Sequence, residues 1–81
     1  MSAAEQVAAI RKSLLKEYGF DLGQWYSDSD LTDRGFTFNE TLELIKKSVD
    51  SVLYRHPEDI VSRIGQEAMD RLRVKFLGQG S

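Results

Sequence analysis

His56 and the acidic residues around it are the side chains of this sequence with the clearest capacity for acid-base or metal chemistry. His56 is the one histidine, and it lies in the string His-Pro-Glu-Asp. A metal site here would have to recruit Glu58 and Asp59, since the chain contains no cysteine, and that spacing matches no common ligand geometry. We therefore expect His56 to serve a surface turn or a helix cap, and we predict no metal site and no cofactor.

Three aspartates, Asp28, Asp30 and Asp33, form the acidic cluster that most resembles a calcium-binding loop. A loop of that kind that begins at Asp28 would need glycine at its sixth position and glutamate at its twelfth. The sequence has Asp33 and Asn39 there instead. We expect these aspartates to cap helices and form turns.

Ser13 and Lys16 match the Ser-x-x-Lys string of serine acyl-transferases. That chemistry also requires a large pocket and an oxyanion hole, for which a chain of this size has little room. Both side chains fall on the predicted solvent face of a helix. We therefore predict no catalytic residues and a protein that is not an enzyme.

The densest group of basic residues lies near the C-terminal end, and it supports an alternative function in nucleic-acid binding. A small nucleic-acid-binding or antitoxin-like regulatory protein would contact phosphate through these side chains: Arg63, Arg71, Arg73 and Lys75. However, the net charge is −2, and basic residues near the end of a helix are also favoured by its dipole. Nucleic acid is thus the second choice of partner.

Capping signals and apolar spacing predict three helices that would position these side chains. Ser2 and Glu5 form a capping box before an apolar stripe that Gly19 ends, which predicts a helix over residues 3–18. Thr37 and Glu40 form a second box, and this predicts a helix over residues 37–56. Pro57 suits the first turn of a third helix, residues 57–77, with an apolar stripe on one face.

Residues 19–36 form a long connection that mixes aromatic side chains with turn residues. Asp21 is placed to cap a short helical turn that contains Leu22, Trp25 and Tyr26. A long structureless loop is uncommon in a compact domain, so we expect this connection to fold back onto the helices. It serves either as a cover over the core or as an interface, and the sequence leaves both open.

Composition agrees with a small all-α, three-helix bundle-like protein made of a single domain, residues 1–81, with a frayed tail at residues 79–81. Hydrophobic residues make up 41% of the 81 residues and charged residues 30%, a balance typical of globular domains. No apolar run approaches the length of a membrane span, and no leader sequence is visible. Together with the absence of cysteine, this predicts a cytoplasmic location and no membrane partner.

The apolar side chains exceed what three short helices readily enclose, and this surplus gives the main functional prediction. We predict a non-enzymatic protein-protein interaction module, such as a regulator, an adaptor or an assembly factor. Its partner is another protein or a second copy of the chain in a homodimer. The predicted contact residues are Trp25, Tyr26, Phe36, Phe38, Leu44 and Tyr54.

Overall fold

A computed structural model of the chain describes residues 2–32 and 37–79 and contains five α-helices within them. They are α1 (Ala3–Tyr18), α2 (Asp28–Thr32), α3 (Phe38–Arg55), α4 (Pro57–Ile64) and α5 (Gln66–Arg71). A 3-10 turn, Leu22–Gln24, precedes α2, and a π-helical turn, Leu72–Phe76, follows α5. The described part of the chain has no strand, so the predicted all-α class is confirmed.

Both predicted capping boxes are present, and they fix where the two long helices begin. The Ser2 hydroxyl accepts a hydrogen bond from the Glu5 backbone N–H at 3.2 Å, and the Thr37 hydroxyl accepts one from the Glu40 N–H at the same distance. The Glu5 and Glu40 carboxylates accept from the N–H groups of Ser2 and Thr37 in return. The long helices therefore begin where the sequence predicted.

The prediction of one continuous helix over residues 57–77 is wrong, because the chain breaks at Gly65. Its φ of 90° and ψ of 159° are open to glycine and strongly disfavoured for other residues. The Gly65 N–H closes α4 on the Val61 carbonyl at 2.8 Å, and the Gly65 carbonyl accepts from Met69 at 3.2 Å in the next helix. Gly65, which the sequence places on an apolar helix face, therefore separates two shorter helices.

The connection predicted over residues 19–36 contains two helical segments of its own. The Asp21 carboxylate accepts from the Gly23 N–H at 3.0 Å and caps the 3-10 turn, as predicted. The α2 helix was not predicted. Its cap is reciprocal: the Asp30 carboxylate accepts from the Ser27 N–H at 2.9 Å, and the Ser27 hydroxyl accepts from the Asp30 N–H at 3.2 Å.

The core is enclosed by the long helices α1 and α3, the connection and the C-terminal helices. Phe20, Leu22 and Leu31 from the connection are almost fully buried in it, so this segment covers the core. The other buried apolar residues are Val7, Leu14, Ile45, Val49, Val52, Leu53, Ile60, Met69 and Leu72. None of the helices described is long and apolar enough to cross a membrane.

The C-terminal end of the described chain returns to α3. The Gln79 side chain donates a hydrogen bond to the Asp50 carboxylate at 2.8 Å, and its backbone N–H donates to the Arg73 carbonyl at 3.0 Å. Gln79, which was predicted to lie in a frayed tail, therefore makes two hydrogen bonds, and residues 80–81 of that predicted tail lie outside the described residues.

Candidate functional site

Trp25 and Tyr26 form one wall of a surface groove beside the C-terminal half of α3. Both backbone N–H groups donate to the Leu22 carbonyl, at 3.0 Å and 3.1 Å, so the 3-10 turn sets their position. Leu22 itself is fully buried and anchors that turn. Both aromatic side chains are half-buried, packing against the core while keeping one side accessible.

The last two turns of α3 and its C-cap form the opposite wall. The groove has a volume of about 230 Å³, and the residues that line it are Trp25, Tyr26, Ser51, Val52, Arg55 and His56. We call it the Trp25 groove. Small-molecule sites usually have volumes of roughly 300–1,000 Å³. The groove is therefore smaller than the usual small-molecule site.

Trp25 and His56 are in contact through their rings. The ring centroids are 4.7 Å apart and the planes lie 23° from parallel, which is a stacked arrangement. His56 occupies the C-cap position of α3, but its side chain makes no capping hydrogen bond. The position of His56 at a turn was foreseen from sequence, whereas its stacking on Trp25 was not.

The six predicted contact residues do not come together in one patch. Trp25 and Tyr26 line the groove, whereas Tyr54 is not one of its lining residues and has 85% of its surface exposed. Phe38 is 60% exposed but begins α3, so about 24 Å of helix axis separates it from Tyr54. Leu44 is half-buried between them, and Phe36 lies outside the described residues.

A stripe of side chains along the outer side of α3 connects Leu44 with Tyr54. The spacing of 4, 3, 4 and 3 residues places them on one helical face. Its members, which we call the α3 stripe, are Glu40, Leu44, Lys47, Ser51 and Tyr54. Ser51 also lines the Trp25 groove, so the stripe and the groove meet at this residue.

The four basic residues that were predicted to bind nucleic acid in the alternative function differ in their contacts and exposure. Arg63 donates to the Asp59 carboxylate at 3.2 Å and to the Gln24 side-chain oxygen at 2.8 Å. Arg71 lies over the Tyr18 ring, with its guanidinium carbon 5.6 Å from the ring centroid. Two members thus have partners within the protein, while Arg73 is half-buried and Lys75 exposed.

Two aspartates of the predicted acidic cluster, Asp28 and Asp30, stabilise the fold, and the third, Asp33, lies outside the described residues. Asp28 forms an ion pair with Arg11, and Asp30 belongs to the cap of α2. Hydrogen bonds from the backbone and then the hydroxyl of Ser27 lower the pKa of Asp30. Within residues 2–32 and 37–79, no three His, Cys, Asp or Glu side chains come together as a metal site would require.

The Thr37 hydroxyl, followed by its backbone N–H, likewise lowers the pKa of Glu40 by hydrogen bonding to the carboxylate. Glu40 is therefore both a member of the α3 stripe and part of the cap of α3. Like Asp30, Glu40 is thus a carboxylate whose pKa is lowered in the folded protein.

Sequence reasoning missed the groove residues of α3. Ser51, Val52 and Arg55 were not among the predicted contact residues, although they line the groove. Contact between residues 25 and 56 depends on how the connection folds back, which no local pattern encodes. The spacing of Glu40, Leu44 and Tyr54 was visible in the sequence and would have predicted that they share one face of α3.

Comparison with known proteins gives a partial likeness to an enzyme subunit. The chain is 31% identical over 55 residues to the aspartate carbamoyltransferase catalytic subunit of Wigglesworthia glossinidia brevipalpis. The aligned stretch covers 68% of this chain but 18% of that subunit, too little to place the chain in its family. No protein-family model matches the chain, and no solved structure matches it.

Proposed function

We propose that this chain is a non-enzymatic protein-protein interaction module that docks through the Trp25 groove and the neighbouring α3 stripe. The observation that carries this proposal is Tyr54, a large aromatic side chain that is 85% exposed on the α3 stripe, which shares Ser51 with the Trp25 groove. Tyrosine and tryptophan are enriched at protein interfaces, where they contribute large contact areas at low cost in conformational entropy. A regulator, an adaptor or an assembly factor would use such a surface.

The partner in this proposal is another protein or a second copy of the chain, in a cytoplasmic setting that the absence of cysteine fits. Transferase activity is not part of the proposal, because the likeness to the carbamoyltransferase subunit spans 18% of that protein. Arg63 and Arg71 already contact other side chains of the protein, so a phosphate-binding face has less support than the groove as the docking surface.

Matched surface variants test the proposal. Tyr54→Ala removes the most exposed aromatic side chain of the surface, and Leu15→Ala removes a large apolar side chain, 54% exposed, that lies on α1 away from it. Complexes, whether self-assembled or captured on the immobilised chain, should weaken in Tyr54→Ala and persist in Leu15→Ala. Complexes that persist unchanged in Tyr54→Ala, or that weaken equally in both variants, would overturn the proposal.

Salt dependence separates this function from the nucleic-acid alternative. Binding driven by several phosphate contacts loses on the order of 10³-fold or more in affinity between 50 and 200 mM salt. An aromatic interface with few charge pairs should change far less over that range. A titration of the intact chain with duplex DNA at both salt concentrations supplies the comparison.

A further inference from the structure

Trp25 borders two open spaces of the molecule. It lines the Trp25 groove, and it also lines a second cavity of about 80 Å³ between the connection and α4. Among the described residues it alone lines both, so its side chain separates them. The second cavity, which we call the α4 cavity, is lined among others by Phe20, Gln24, Ile60, Arg63 and Ile64. Close-packed interiors contain few voids larger than a water molecule, so packing alone does not hold Trp25 in place.

A hydrogen-bonded clamp from α4 holds the residue that precedes Trp25. The Arg63 guanidinium donates to the Gln24 side-chain oxygen at 2.8 Å, and its Nε donates to the Asp59 carboxylate at 3.2 Å. Asp59 lies one turn before Arg63 on α4, so the carboxylate orients the guanidinium. Gln24 is the last residue of the 3-10 turn. Its attachment to Arg63 therefore fixes the point from which Trp25 leaves the turn.

The clamp is suited to positioning more than to stabilising the fold. The side chains of Arg63 and Asp59 are 50% and 46% exposed, and exposed ion pairs contribute little to the free energy of unfolding. The other contact on Trp25 from this part of the chain is the stacked ring of His56, which directly precedes α4. Trp25 and its neighbour Gln24 are thus held from both ends of α4.

We infer that Arg63 is the positioning residue of the Trp25 groove, because it holds Trp25 out of the α4 cavity and so sets the shape of the wall that docks the partner. Without this clamp the indole gains access to the α4 cavity, and that wall of the groove recedes. The inference rests on the proposed function and names the residue that controls its docking groove. It also gives Arg63 a role other than phosphate binding.

Two single variants of the full chain remove the clamp from either side. Arg63→Ala removes the donor, and Gln24→Ala removes the acceptor. Trp25 is the only tryptophan, so the fluorescence anisotropy of the chain reports the motion of its indole. The anisotropy should fall in both variants, since the indole can then move between the groove and the α4 cavity on the nanosecond timescale. Complexes that Tyr54→Ala weakens should also weaken in Arg63→Ala, by up to about fivefold.

A rescue variant and two controls separate positioning from a general loss of stability. Ile64→Phe enlarges a side chain that lines the α4 cavity, so adding it to Arg63→Ala should restore the anisotropy. Gln24→Glu keeps an acceptor for Arg63 and should match the wild type. Arg71→Ala removes an arginine that lies over the Tyr18 ring, away from the groove, and should also match the wild type. Urea denaturation followed by circular dichroism should give nearly the same midpoint for the single arginine and glutamine variants.

The outcomes are independent of any partner. A fall in anisotropy in both clamp variants that Ile64→Phe restores supports the inference. Unchanged anisotropy in the clamp variants overturns it, as does a fall that Ile64→Phe leaves in place or an equal fall in Arg71→Ala. The proposed function is judged separately, by the effects of Tyr54→Ala and Leu15→Ala on complex formation.

Discussion

The imidazole of His56 stacks on the indole of Trp25, with 4.7 Å between the ring centroids. This contact ties the connection between α1 and α3 to the junction between α3 and α4. It also fixes one wall of the Trp25 groove relative to the other.

Removing the stack should loosen Trp25. His56→Ala leaves the backbone cap in place, because the His56 side chain makes no capping hydrogen bond. We expect a loss of about 0.5–1.5 kcal/mol in the free energy of unfolding, the usual value of an aromatic pair. Trp25 is the only tryptophan, so its fluorescence should shift to the red and become easier to quench with acrylamide. His56→Phe, which preserves a stacked ring, should keep the wild-type spectrum; an identical red shift in both variants would contradict a role for the stack.

The connection should contribute to stability as a core element does. Leu22 is fully buried, so Leu22→Ala should cost about 2–5 kcal/mol in the free energy of unfolding. The control is Leu15→Ala, which truncates a leucine that is 54% exposed and should change stability by no more than about 0.5 kcal/mol. Urea denaturation followed by circular dichroism measures both variants. Equal small effects would mean that the connection does not cover the core.

Gly65 should resist replacement although there is room for a side chain. A Cβ at this position would meet nothing within 4 Å, so any penalty comes from the backbone conformation at φ 90°. We expect Gly65→Ala to cost on the order of 1–3 kcal/mol. Gly78→Ala also places alanine at positive φ in open space, but it lies near the end of the described chain and should cost less. If Gly65→Ala instead stabilised the protein, α4 and α5 would be one continuous helix.

Acid should weaken the caps of α2 and α3. Hydrogen bonds from Ser27 and Thr37 lower the pKa values of Asp30 and Glu40 in the folded protein. A carboxylate with a lowered folded pKa stabilises the protein above its unfolded pKa, roughly pH 4, and this stabilisation is lost as the pH falls through the folded value.

Melting temperatures measured from pH 6 to pH 2.5 should therefore fall on the acid side. The double variant Asp30→Asn and Glu40→Gln should show a shallower decline, since neither replacement titrates. Glu43→Gln removes a carboxylate that accepts no hydrogen bond from the described residues, and it serves as the control. A double variant whose acid slope equals that of the wild type would contradict the assignment of these caps.

The two long helices could be predicted from sequence because their signals are local. A capping box at Ser2 or Thr37 and an apolar stripe lie within a few turns of chain, and the structure places both helices within one residue of the prediction. The break at Gly65 was missed because apolar spacing continues across it. A glycine on a buried face is compatible with a continuous helix and with a hinge, and tertiary packing decides between them.

The candidate site was less predictable because it depends on contacts distant in sequence. Trp25 and Tyr26, which were named from sequence as contact residues, line the groove, but their neighbours Arg55 and His56 come from the distant end of α3 and its C-cap. Phe38 was grouped with Tyr54 by residue type alone, and the length of α3 separates them. The spacing of residues along a helix predicts which side chains share a face. Which loop packs against that face depends on the tertiary structure.

The solution mass of the chain across a concentration series tests the central claim most directly. Light scattering at moderate salt should show the wild type and Leu15→Ala passing from monomer to dimer as concentration rises, while Tyr54→Ala stays closer to monomer. A dimer that Tyr54→Ala leaves intact would contradict docking through this surface.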